Sequence, residues 1–291
     1  MDLKESVRET MTAEHISLGG LAKMTGVGSG SSWSQWMSGK YPGDFRKFDK
    51  AAKQFLSFMN KRSKLQQEEI NFVDTSVSVK LSGALLDAHI LGEIIVCCGP
   101  SGIGKTRALL EYIKQNTGVI LVEAHRGYSA KTFFTQLIEM LEIECSHSIN
   151  DMLKNSVEKL KGSRRLLIID ECEYLNLKTI DLIRRLNDFA GIGIVLVGTN
   201  QLYDNLMHKG FEQINNRASK IMLDVITEED AEKIINSVLP GNKVCREIWE
   251  YASQNTRILC KILKRIIQIS CFDKNAITSL MVKQAAEMVI R

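Results

Sequence analysis

Between residues 71 and 225, short apolar runs alternate with stretches whose apolar positions recur at helical spacing. The runs are GEIIVCC (92–98), GVILVEA (118–124), RRLLIID (164–170) and GIGIVLVG (191–198), all rich in Ile, Val and Leu. Strands buried on both faces of a parallel sheet have this composition, because neither face alternates with solvent. TRALLEYIKQ and KTFFTQLIEMLEI, which lie between the runs, read as amphipathic helices. Residues 1–60 read instead as short helices broken by GVGSGSS (26–32), and NKRSKLQQEE (60–69) reads as a helix end or a linker. After residue 225 the apolar runs stop. TEEDAEKIINSVL opens on a Thr–x–x–Asp start signal, and helical patterns continue around 243–253, 257–270 and 278–290. The pattern predicts an α/β core over 65–225, with an all-helical domain before it (1–64) and a small all-helical domain after it (226–291).

Composition narrows the class without naming a chemistry. The chain has 291 residues, 44% hydrophobic and 25% charged, as expected of a soluble globular protein. No apolar run approaches the ~18 residues that span a bilayer, and the first twenty residues show no signal peptide. Seven cysteines occur without a CxxC pair or metal-ligand spacing, which points to a reducing cytoplasm. The net charge of +4 is divided as +3 over 1–70, −1 over 71–225 and +2 over 226–291. Basic ends around a balanced middle are compatible with a nucleic-acid partner.

The chemistry is carried by two motifs. Gly99, Pro100, Ser101, Gly102, Ile103, Gly104, Lys105 and Thr106 spell GxxxxGK[ST] between an apolar run and a helical pattern. Glycines there let backbone N–H groups converge on phosphates at a helix N-terminus. Lys105 would reach the β and γ phosphates of ATP, and Thr106 would ligate Mg²⁺. The second motif, LLIIDE (166–171), sets Asp170 at the end of a buried strand, where it can hold Mg²⁺ through water. Glu171 beside it is suited to polarise the attacking water. A further strand, GIVLVGTN (193–200), ends in Thr199 and Asn200.

This order of motifs resembles the AAA+ ATPases, a P-loop NTPase core with a parallel sheet and a helical lid. The resemblance implies that Asn200, with Thr199 as the alternative, orients the water as sensor 1. It implies that Arg217, in QINNRASKI, reaches a neighbouring subunit's site, and that Arg257, in QNTRILCKIL, contacts the γ-phosphate from the lid. The active site would then form between subunits and tie hydrolysis to oligomerisation.

LGGLAKMTGVGSGSSWSQWMSGKYPGD (18–44) resembles the helix-turn-helix of phage repressors, with a glycine-rich turn about one residue longer than usual. Trp33, Trp36 and Met37 share one helix face by their i, i+3, i+4 spacing, which makes them core residues rather than base-stacking ones. The remaining face offers Ser31, Ser32, Ser34 and Gln35 to a DNA groove, with Lys40 placed for a phosphate.

Taken together, SQWMSGKY (34–41), NFVDTSVSVKL (71–81), CCGPSGIGKT, LLIIDECEYL (166–175) and TRILCKIL (256–263) resemble the Mu B family of ATP-dependent target DNA activators across nearly all of the chain. That resemblance implies an ATPase stimulated by DNA and by a transposase. It would form helical filaments on duplex DNA with ATP, largely independent of sequence, and stimulate DNA transposition. It also implies DNA contacts along the inner side of the core, for which Arg126, Lys131 and Lys178 are the candidates. Lys261, Lys264 and Arg265 form a basic stripe on a lid helix that reads foremost as a solvated face. The alternative is a helix-turn-helix transcriptional regulator whose oligomeric state ATP controls. An AAA+ component of secretion machinery would need a membrane or wall-binding segment, and a small-molecule kinase would need an acceptor site. Neither is evident.

Overall fold

A computed structural model describes residues 2–67, 70–144, 148–207, 217–241, 243–271, 273–274 and 276–290. The chain divides into two compact units, Met1–Glu69 and Ile70–Arg291.

The first unit is helical: α1 (Leu3–Ala13), α2 (Leu18–Thr25), α3 (Gly30–Met37) and α4 (Arg46–Gln67). The turn from α2 to α3 covers 26–29, and Gly26 and Gly28 both take positive φ there, as glycine allows without strain. Ser17 and Ser29 cap α2 and α3 by accepting from Gly20 N and Ser32 N. Trp33 and Trp36 are buried and meet edge to face, with Phe48 against Trp33. Both indoles are also satisfied, since Trp33 Nε1 donates to Val27 O (2.8 Å) and Trp36 Nε1 to Asp49 Oδ1 (2.8 Å). Met37 packs partly buried against the same cluster. At 22 residues α4 is a long helix where the sequence pattern suggested short ones.

The second unit holds one five-stranded parallel sheet in the order β2-β3-β4-β1-β5. Its strands are β1 (Ile94–Cys98), β2 (Val119–Glu123), β3 (Leu166–Asp170), β4 (Gly193–Gly198) and β5 (Ser219–Met222). The four apolar runs form the first four strands. The fifth, SKIM, is a half-exposed edge strand, and so it lacks the continuous apolar run that betrays the others.

Helix α5 (Ser76–Leu91) precedes β1, and α6 (Lys105–Gln115) follows it. Ala130–Met140 (α7), Ile149–Leu160 (α8), Leu177–Ala190 (α9) and Asn200–Met207 (α10) connect the later strands. The strands feed two apolar layers. Ile94, Val96, Leu167 and Ile169 pack with α7 to α10, while Ile95, Cys97, Leu166 and Ile168 pack with α5 and α6.

The carboxyl-terminal helices are α11 (Glu228–Val238), α12 (Cys245–Ala252), α13 (Thr256–Ile269) and α14 (Ser279–Ile290). Their apolar faces belong to the same cluster as α5 and α6. Asp230 fastens them there. It completes a capping box with Thr227 and accepts from Ser76 N (2.8 Å) and Ser76 Oγ (2.5 Å) at the start of α5. No helix among the described residues is long and apolar enough to cross a membrane.

Candidate functional site

The sheet order, rather than the chain order, assembles the site. Because β4 lies between β1 and β3, the carboxyl ends of the three strands stand side by side. They deliver the glycine-rich loop, the polar end of β4 and the Asp–Glu pair to one rim, where open α/β sheets place ligands.

The loop 99–106 turns on Gly102 (φ +83) and Gly104 (φ +98), and α6 begins directly after it at Lys105. Gly104 caps α6 with no side chain, so no side-chain acceptor competes for the first amides of the helix. Gly99 is needed for closeness: a Cβ there would lie 2.7 Å from Leu223 O. Pro100 is half-buried, and Ile103, almost fully buried in the core, anchors the loop. Lys105 Nζ donates to Gly99 O (2.9 Å) and Pro100 O (2.8 Å), which folds the ammonium back over the loop. Burial lowers its pKa, and the carboxylates of Asp170, Glu173 and Glu171 work against that shift.

Across the rim, Asp170 is buried at the end of β3. Its Oδ2 accepts from Thr106 Oγ1 (2.7 Å) and its Oδ1 from Glu171 N (2.9 Å). A hydroxyl and a carboxylate held together are hard oxygen donors of the kind Mg²⁺ takes alongside substrate phosphates. No group of three or more His, Cys, Asp or Glu that could hold a metal unaided occurs among the described residues. The residues present thus fit an ion that arrives with phosphate. Glu171 sits at φ +57, a left-handed conformation that costs a non-glycine residue about 1–3 kcal/mol. Burial raises its pKa, and the neighbouring Glu173, Asp170 and Glu123 add to the rise.

Together these groups line a cleft of about 470 Å³, with Ser101, Gly102, Gly104, Lys105 and Thr106 on one side and Asp170, Glu171 and Glu173 on the other. Thr256, Arg257 and Cys260 of α13 close a third side. The lid helix is docked on the loop by Arg257 N, which donates to Gly102 O (3.1 Å), and by Asn255 Nδ2, which donates to Ser101 O (3.3 Å). A smaller, apolar cavity adjoins the cleft, lined by Ile70, Phe72, Val73, Ile103 and Ile234 among others.

The structure sorts the remaining sequence candidates. Thr199, not Asn200, lines the cleft; Asn200 stands exposed at the first position of α10. β4 ends at Gly198, two residues before the end of GIVLVGTN, and Asn200 already belongs to α10. Arg217 lies outside the cleft lining and pairs with Asp188 of α9. Arg126, Lys131 and Lys178 are exposed on segments that follow the neighbouring strands β2 and β3, and so belong to the same rim. Lys261, Lys264 and Arg265 form the exposed side of α13. In the first unit, Ser34, Gln35 and Lys40 are exposed. Ser32 is half-buried and engaged by the cap residue Ser29, with its Oγ 3.1 Å from Ser29 Oγ.

Glu173 and Thr256 are among the lining residues that the sequence reading did not single out. Glu173 accepts from Thr199 N (3.2 Å) and so ties the turn after β3 to the end of β4. Its signal was the third acid of DECE. Thr256 precedes Arg257 on the lid and had no signal beyond that position.

Comparison with known proteins agrees with this geometry. A family model described as an AAA domain matches residues 91–206. The chain is 27% identical to the Mu-like prophage FluMu DNA transposition protein B of Haemophilus influenzae, over 71% of this chain and 72% of that one. It is 26% identical to the ATP-dependent target DNA activator B of Escherichia phage Mu, over 70% of this chain and 66% of that one. The chain is similar in sequence to the Mu B proteins. Among solved structures it is similar to Aeropyrum pernix ORC1 in complex with DNA, with a TM-score of 0.59 at 16% identity, covering 76% of this chain and 67% of that one. It is likewise similar to domain III of Thermotoga maritima DnaA, with a TM-score of 0.53 at 17% identity, covering 77% and 96%. These two likenesses bear on the fold alone, which is that of an AAA+ P-loop NTPase. The matched stretch spans just under two thirds of the phage Mu activator.

Proposed function

We propose that this Mu B relative is an ATPase whose Mg²⁺–ATP-bound form assembles on duplex DNA and activates it as a target for a transposase. The observation that carries the reading is the rim on which Lys105, Thr106, Asp170 and Glu171 converge beside a lid arginine, Arg257. Lys105 neutralises phosphate charge, Thr106 and Asp170 hold the ion, and Glu171 accepts a proton from the attacking water. Thr199 is the polar group best placed to orient that water. Arg217, exposed and outside its own cleft, is offered to a second copy's site, which makes hydrolysis depend on assembly. DNA is held largely through phosphates by Arg126, Lys131 and Lys178, with Ser32, Ser34, Gln35 and Lys40 of residues 1–64 as a second contact. The protein acts in the cytoplasm of a bacterial cell.

The test is fluorescence anisotropy on duplexes of arbitrary sequence, with and without Mg²⁺–ATP. Binding should require ATP, ignore sequence, and fall steeply with salt, by about 0.9 in log K per log unit of salt for each phosphate contacted. Lys105→Ala should weaken ATP binding and with it the ATP-dependent binding of DNA. Glu171→Gln should bind DNA with ATP and release it slowly. A site preference that persists without ATP would instead identify a transcriptional regulator.

A further inference from the structure

The large cleft and the smaller apolar cavity beside it share one wall, made by Gly104, Arg107, Thr256 and Cys260. If the cleft takes the phosphates of a nucleotide and the apolar cavity its base, this wall faces the sugar between them. Gly104 has no side chain to offer. The Arg107 guanidinium, held by Nη2 donating to Ile70 O at 2.6 Å, is a cation with donors only and suits phosphate better than a sugar hydroxyl. Cys260 presents a thiol, a weak hydrogen-bonding group.

That leaves Thr256, and its hydroxyl has a distinguishing property. Thr256 Oγ1 is buried without any hydrogen-bond partner, the one such side-chain atom among the described residues. Buried polar groups are otherwise nearly always satisfied, so an orphan at the lining of a ligand cleft marks a place where the ligand supplies the partner. Its backbone is fixed independently: Asn255 caps α13 through Arg257 N and Ile258 N, and Arg257 N reaches Gly102 O. The hydroxyl therefore waits at a set position. It is neutral and can both donate and accept, which suits another hydroxyl better than a phosphate oxygen already served by Lys105.

We propose that Thr256 recognises the sugar hydroxyls of the bound nucleotide and makes the site selective for ribonucleotides. The inference rests on the nucleotide reading above. It adds a specificity contact from the lid to a loop that otherwise reads only phosphate, and it makes lid docking sensitive to the sugar.

The experiment measures equilibrium binding of ATP and of 2′,3′-dideoxy-ATP to the full chain with Mg²⁺. Wild-type protein should prefer ATP about tenfold, which corresponds to about 1.4 kcal/mol. Thr256→Val should bind ATP as weakly as wild type binds the dideoxy nucleotide and show no preference, while its Tm without nucleotide stays the same or rises. Thr256→Ser, which restores a hydroxyl, should recover the preference. Equal wild-type affinity for both nucleotides, or a preference that survives in Thr256→Val, overturns the proposal and leaves the nucleotide site standing. Failure of wild type to bind either nucleotide overturns the site and the proposal together.

Discussion

Gly102→Ala is the substitution through which the coupling of loop and lid can be measured. Gly102 sits at φ +83, and a Cβ built on it would lie 2.4 Å from both Asn255 Nδ2 and Asn255 Oδ1. The alanine thus meets two penalties. A non-glycine residue forced to remain at this φ costs about 1–2 kcal/mol. The Asn255 amide must also leave, and with it go the cap bonds from Arg257 N (3.0 Å) and Ile258 N (3.1 Å) to Oδ1. Loss of such an N-cap costs about 1 kcal/mol. Gly102→Ala is therefore expected to destabilise the second unit by about 2–3 kcal/mol in all. Asn255→Ala alone should cost about 1 kcal/mol, since it removes the cap and the long, solvent-exposed bond to Ser101 O but leaves the loop unstrained.

The double variant separates these terms. In Gly102→Ala with Asn255→Ala the cap is lost once rather than twice, so the pair should fall short of additivity by about 1 kcal/mol. Urea denaturation followed by tryptophan fluorescence reads all four proteins: Trp249 reports from the lid cluster, and the signal of Trp33 and Trp36 in the first unit is common to the four. Strict additivity, or a Gly102→Ala variant within about 0.5 kcal/mol of wild type, would refute the contact argument, because surface changes without such a mechanism have effects of that size.

Two further outcomes follow from the same geometry. Burial alone would raise the Asp230 carboxyl, but its hydrogen bonds from Ser76 and Thr227 outweigh that and hold the pKa below the ordinary value. A folded pKa below the unfolded one means that the contribution is complete above the unfolded value, about 3.9, and is lost as pH falls through the folded one. Asp230→Ala should cost about 2–4 kcal/mol at pH 7, since the donors of Ser76 and Thr227 lose a charged acceptor, and should flatten the acid limb of stability in urea titrations; an unchanged limb removes Asp230 as its source. For Glu173, Glu173→Gln keeps an acceptor for Thr199 N and should keep near-normal ATP turnover. Glu173→Ala should lower kcat on the order of tenfold with little change in KM, and equal loss in both variants would show that charge, not positioning, is what matters.

The sequence exposed those parts of the molecule whose physical requirement is local. A loop that wraps phosphate needs Gly102 and Gly104 at fixed spacing, and strands buried on both faces need unbroken Ile, Val and Leu, so 99–106 and four of five strands were readable directly. The edge strand β5 was not, because a half-exposed strand with Lys220 inside it carries no apolar run. Helix α5 was also silent: it is apolar around most of its circumference, so no one-sided periodicity announces it. At the site, Asn200 and Thr199 were adjacent candidates, and only the end of β4 shows which of them lines the cleft. Thr256 could not be singled out at all. Its significance lies in a missing hydrogen bond, which exists only once α13 has docked on the loop.

The most direct measurement of the central claim is negative-stain electron microscopy of the purified chain with duplex DNA of arbitrary sequence, with and without Mg²⁺–ATP. Continuous protein filaments on the DNA only when ATP is present are the expected result, and Glu171→Gln should make them persist. Discrete particles of the same kind in both conditions would contradict nucleotide-controlled assembly on DNA.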